Sequence, residues 1–182
     1  MKSMSTIKAS AKATYLVLCR EKGISRVTVS DLTERANMAR STFYLHYDNL
    51  NSLLYEIENE LLNDLKMLSI SHIYPDGADK YLWLHSSISS QLCKTKENLE
   101  WYSLLLGSRG NPSFSRKVYH HIRTEASKKY KSMNVEINDI ELDHICSGGL
   151  GMFLHWIRTN AALKPDRLAH LMIPPFHDTS NL

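Results

Sequence analysis

Apolar positions recur at steps of three and four along most of this chain, the spacing of α-helices that bury one face. Ile7, Ala11, Tyr15, Leu18 and Cys19 form the first such stripe, with Lys8, Lys12 and Arg20 elsewhere on the surface, and Gly23 stops it. Glycine reaches the left-handed conformation of a helix C-terminus at little steric cost. Thr28 followed three residues later by Asp31 predicts a capping box, and Val29, Leu32 and Ala36 then share one side of a short helix. Asn37, of a residue type that tolerates positive φ, predicts a turn. A second short helix is predicted from residue 39 or 40 to residue 45, burying Phe43 and Tyr47 and leaving Arg40, Ser41, Thr42 and Tyr44 largely outward. Asp48 or Asn49 then caps a long helix striped by Leu50, Leu53, Leu54, Ile57, Leu61, Leu65 and Leu68.

Breakers at Pro75, Asp76 and Gly77 divide these four helices from the rest. Further helices are predicted over residues 78–94, 97–107, 112–133 and 139–159. A last one has Pro165 at its first position and ends before Pro174, and residues 176–182 read as a frayed tail. With only 7 glycines and 5 prolines in 182 residues, the fold class is all-α.

The length allows a real core without disulfides or a structural metal, and 43% hydrophobic with 23% charged residues is ordinary for a folded globular chain. Cys19, Cys93 and Cys146 have no paired spacing, which argues against a disulfide framework and against zinc. The apolar run at residues 15–19 is too short for a signal-peptide core, and no stretch approaches the roughly 18 residues needed to span a bilayer. A cytoplasmic protein with no membrane partner is expected. Residues 1–50 carry eight basic groups against four acidic ones, whereas the remaining 132 residues carry 14 against 15. That asymmetry is either chance on a solvated surface or a DNA-facing N-terminal module on a neutral body.

Catalysis finds little footing. There is no His-Glu-x-x-His, no nucleophile elbow and no paired-cysteine metal spacing, and His120 and His121 point to different faces of one helix. No enzyme activity, cofactor or bound metal is expected.

Residues 28–47 resemble the TetR-family signature, with Thr28, Asp31, Leu32, Ala36, Met38, Thr42, Phe43, Tyr44, His46 and Tyr47 in register. Three positions depart from it. Asn37 replaces the usual turn glycine. Ala39 replaces the usual serine cap, at a cost of roughly 1 kcal/mol of local helix stability. Leu50 stands where the family usually has a phosphate-holding lysine. The resemblance implies a three-helix helix-turn-helix DNA-binding domain at residues 4–64 and a helical dimerisation and effector domain at residues 65–182. It places residues 40–45 in the major groove of a double-stranded operator, with Arg40 on a base edge or, alternatively, on a phosphate or in solvent. Ser41 and Thr42 are short donors to bases or phosphates, and Tyr44 and His46 donate to phosphates, Tyr44 having partial burial as its alternative. Thr28 sits at a helix N-terminus, where phosphate is electrostatically favoured.

Residues 145–157 resemble a glycine-rich helix late in one branch of that family. Glycine inside a helix costs about 1 kcal/mol relative to alanine, so a close approach should offset it. Ser147, Gly148, Gly151 and His155 are therefore expected at a homodimer interface, a four-helix bundle drawn from residues 139–173, with tight packing inside one subunit as the alternative. Trp83, His85, Trp101, Tyr102, Phe114 and Tyr119 either line an effector pocket or pack in the core. The effector is a small molecule or a protein. The expected function is a dimeric, palindrome-binding transcriptional regulator, a repressor in the simplest case. Its rival is a dimeric adaptor, binding an effector or a protein, whose DNA reader has weakened.

Overall fold

A computed structural model describes residues 4–67, 74–107 and 110–173. The described residues are helical, without strands, as the apolar periodicity requires. Helix α1, Met4–Lys22, buries Ala11, Tyr15, Leu18 and Cys19 and ends where Gly23, at φ 86°, donates its N–H to the Cys19 carbonyl at 2.9 Å. A 3₁₀ turn, Ile24–Arg26, leads to α2, Val29–Arg35. The expected capping box is formed: Thr28 Oγ1 accepts from the Asp31 N–H at 3.2 Å and Asp31 Oδ2 accepts from the Thr28 N–H at 2.9 Å. Asn37 takes φ 48° and turns the chain into α3, Arg40–Tyr44.

Asn49 then caps α4, Leu50–Met67, by accepting from the Ser52 N–H at 3.1 Å. Leu53, Ile57, Leu61 and Leu65 form its buried stripe, and Leu68, the last member expected, lies outside the described residues. The division expected between residues 64 and 65 falls within the last turns of α4.

Helix α5, Lys80–Glu97, starts later than residue 78 because Asp79 caps it, accepting from the Leu82 N–H at 2.8 Å. Asn98 ends α5 and opens α6, Leu99–Leu106. The Asn98 amide also reaches Asp64 at 3.0 Å, so this joint is tied to the end of α4. Helix α7, Pro112–Ser132, starts from an Asn111 cap with Pro112 in its first turn. Helix α8, Asp139–Arg158, opens on a second capping box, Asn138 with Glu141. Trp156 Nε1 donates to the Leu163 carbonyl at 2.8 Å, closing the connection to α9, Pro165–Met172. The tail expected at residues 176–182 lies outside the described residues. One continuous core runs from Leu32 and Phe43 through Tyr102, Phe114 and Phe153 to Trp156 and Ala169, so the N-terminal helices are packed onto the body.

Candidate nucleic-acid interface and body cavity

Helices α2 and α3 form a two-helix corner whose inner side is apolar and whose outer side is polar. Phe43 and Tyr47 are buried with ring centroids 5.6 Å apart, and Leu32 is fully buried beside them in the same core. That anchoring turns Arg40, Ser41 and Tyr44 to solvent and leaves Thr42 and His46 half-buried. Tyr44 is 55% exposed and meets Phe43 edge-on, so it is no packing aromatic of the core. Arg40 Nη2 donates to the Ser30 hydroxyl at 2.5 Å and thereby ties the start of α3 to α2. Ala39, the residue before α3, supplies no side-chain cap.

The electrostatics of this corner are thinner than the residue count suggests. Lys8 pairs with Glu56 at 2.8 Å, and Lys12 reaches Glu56 at 2.7 Å and Glu60 at 2.6 Å. Arg20 reaches Glu100 at 2.8 Å, Lys22 pairs with Asp31 at 2.7 Å, and Arg35 pairs with Glu21 at 2.6 Å. Among the described residues up to 50, Arg26 and Arg40 are the basic side chains that no carboxylate engages. Thr28 is also occupied: its hydroxyl donates to Asp31 Oδ2 at 2.8 Å, and the Lys22 ammonium together with Thr28 holds the Asp31 carboxyl down at about 2. Leu50 packs half-buried against the core.

In the body, Ser147, Gly148, Gly151 and His155 all lie on an exposed face of α8, with Ile140 82% exposed on the same helix. A Cβ added at Gly148 or Gly151 would meet nothing within 4 Å, so tight packing inside one subunit does not explain either glycine. Gly149 faces the other way, is buried, and would bring a Cβ within 3.6 Å of the Met172 methyl.

The six residues offered for an effector pocket do not come together. Tyr102 and Phe114 are core residues with ring centroids 6.4 Å apart, and Tyr102 Oη donates to the Leu61 carbonyl at 3.0 Å. Trp101 tilts against Tyr15 at 6.4 Å, between α6 and α1. Trp83 meets the Tyr74 ring edge-on, His85 Nε2 lies 3.0 Å from the Asp166 carbonyl oxygen, and Tyr119 Oη donates to Asp143 at 3.1 Å. The body instead has a cavity of about 140 Å³, partly open to solvent and lined from α4, α5, α7, α8 and α9. Aliphatic residues and polar groups of α5 and α7 line it, not the large aromatics at first expected. Buried polar residues face it: Thr95, His121, Glu125 and Lys129. Sequence reasoning missed these, since a buried charge looks like a surface position when polarity alone is read. The one available signal was the spacing of His121, Glu125 and Lys129, four residues apart along α7, in line with Val118 and Ile122.

A carboxylate links this body to the N-terminal unit. Glu58 of α4, also buried, accepts from the Asn111 amide at 2.6 Å and from Lys117 Nζ at 2.8 Å. Among the described residues no group of three or more His, Cys, Asp or Glu is placed to hold a metal ion, and no helix is long and apolar enough to cross a membrane.

Residues 16–57 match the family model described as bacterial regulatory proteins, tetR family, and residues 84–174, half of the chain, match that of a transcriptional regulator C-terminal region. No curated relative matches in sequence. Among solved structures, the chain is similar to a TetR-family transcriptional regulator from Syntrophomonas wolfei (TM-score 0.69, 12% identity, 93% of this chain and 92% of that one). It is also similar to the fatty acid degradation regulator FadR from Bacillus halodurans (TM-score 0.65, 11% identity, 94% of each chain). A third is a TetR transcriptional regulator from Streptococcus agalactiae (TM-score 0.61, 20% identity, 92% of each chain). At these identities the likeness is one of fold.

Proposed function

The chain belongs to the TetR family of bacterial transcriptional regulators, and from that premise we propose that it is a homodimeric repressor that binds a palindromic operator and is controlled by a small molecule in the body cavity. The observation that carries this reading is the outward polar face of α3, Arg40, Ser41 and Tyr44, held by the buried Phe43 and Tyr47. A helix of this kind reads base edges through an exposed guanidinium and fixes its register through hydroxyl contacts to phosphates. One such helix covers too few base pairs, so two copies related by a dyad read half-sites about one helical turn apart. The exposed strip on α8 supports the pairing, because its glycines let a second helix approach closely.

Control runs through α7. Its middle turns line the cavity, and its first turns hold Glu58 of α4, the helix that follows the reader. A ligand that shifts α7 therefore moves α4 and changes the separation of the two recognition helices. Occupying promoter DNA is by itself enough to repress.

Gel retardation of the chain's own upstream DNA tests the proposal, read alongside sedimentation velocity. The expected result is a sequence-selective complex of two chains whose affinity falls between about 50 and 200 mM salt. A second reading, a dimeric adaptor with a weakened reader, is favoured by the uncapped Ala39, the apolar Leu50 and the internally paired basic residues. No retardation at low salt would establish that reading in place of the first.

A further inference from the structure

The body cavity has two unlike walls. Val118, Phe153, Leu92 and Ile173 make an apolar lining, whereas Lys129, Glu125, His121 and Gln91 stand along the seam of α5 and α7. Lys129 is 4% exposed, an unusual place for an ammonium unless a partner compensates its lost hydration. Its neighbours on α5 are neutral: Nζ donates to the Ser87 hydroxyl and lies 5.9 Å from the centre of the Trp83 ring. Glu125, one turn earlier on α7, engages Lys128 Nζ at 2.9 Å. Lys128 is half exposed and lies outside the lining, so the charges that line the cavity are the Lys129 ammonium and the Glu125 carboxylate, whose pull does not make up for the burial of that ammonium.

Tyr130 and Cys146, also in the lining, add no charge that would compensate that ammonium. Burial pushes the Tyr130 hydroxyl up to about 12 and the Cys146 thiol up to about 11, so both are neutral near pH 7. The lining residues that α4, α5 and α9 contribute are uncharged.

Resting on the reading that a small molecule controls this regulator, we propose that the cavity binds a small carboxylic acid as its anion. The carboxylate sits on the Lys129 ammonium and the apolar body lies against Val118, Phe153 and Ile173. A volume of about 140 Å³ is below the roughly 300–1,000 Å³ of pockets for drug-sized ligands, which selects a short aliphatic chain or a single ring. Burial pushes the Lys129 ammonium below the ordinary lysine range, against the opposing pull of Glu125. Binding therefore weakens as pH rises and that ammonium deprotonates.

The test is isothermal titration calorimetry of the full chain with hexanoate and benzoate, using hexanamide and hexylamine as matched controls. The acids are expected to bind at least about tenfold more tightly than the amide, the worth of one charge-assisted contact. Lys129→Met, checked by thermal melting to fold, is expected to lose that preference, and Glu125→Gln to increase it. Equal affinity for acid and amide, preference for hexylamine, unaltered acid binding in Lys129→Met, or no binding of either acid would each overturn the proposal. Adding the same compounds to the protein–DNA complex separates the two claims. Acid binding without DNA release removes effector control and leaves the anion site standing. Release by hexylamine alone keeps effector control and removes the anion site.

Discussion

Lys117 Nζ lies 2.8 Å from Glu58 Oε2, so the helix that leaves the N-terminal unit and the helix that lines the cavity share one buried carboxylate. Removing one partner of a buried pair usually costs more than the pair contributed, because the other is left unsatisfied. Lys117 is more than one-third exposed and can recover hydration, whereas the Asn111 amide loses its acceptor. Glu58→Ala is expected to destabilise the chain by about 2–3 kcal/mol, measured by urea unfolding. At temperatures where the variant remains folded, bound ligand should no longer change its DNA affinity.

Arg40 heads the outward face of α3 and donates a hydrogen bond to the Ser30 hydroxyl. Arg40→Ala is expected to cost about 1–3 kcal/mol at one base pair of each half-site and to relax specificity there, measured on single-substitution operator variants. A uniform loss across all variants would make Arg40 a phosphate contact.

The missing cap on α3 offers a gain. Ala39→Ser supplies the side-chain cap that α3 lacks, and should stabilise the chain by about 1 kcal/mol and tighten operator binding. Thermal melting and gel retardation check the two parts separately.

Acid should loosen α1 from α4. Burial alone would raise the Glu56 carboxyl, but hydrogen bonds from Lys12 and Lys8 outweigh it and hold the group at about 2 against an ordinary 4.5. A depressed folded-state value stabilises the fold fully above the unfolded value and is lost as pH falls through the folded one. The urea midpoint is therefore expected to fall between pH 4.5 and 2, and to fall less in Glu56→Gln.

Gly151→Glu places a charged side chain in open space on α8, so the isolated subunit should keep its fold. Sedimentation is expected to show monomers, with operator binding lost. A dimer that survives the substitution would move the interface elsewhere.

Local features of this chain were legible in its sequence because neighbouring residues form them. Thr28 with Asp31, Asn37 at positive φ, and Asn49 as a cap each depend on a few adjacent residues. Long-range pairing was not legible. The basic excess of the first fifty residues meets Glu56, Glu60 and Glu100 from later helices, which no count within that segment can include. The polar groups inside the body follow the same logic. Glu58 and Lys129 look like surface positions until α7 is laid against α4 and α5. The large aromatics looked like pocket walls, yet Tyr102 and Phe114 fill the core because their size suits close packing.

Helix α9 is fastened to its own subunit: Tyr81 hydrogen-bonds His170, His85 meets the Asp166 backbone, and Trp156 clasps the loop from α8. The strip on α8 and the half-exposed Leu171 are thus already built before any second copy arrives. Two such subunits would dock as finished parts, without refolding on contact. The rate of association would then be second-order in chain concentration, with no slower folding step behind it.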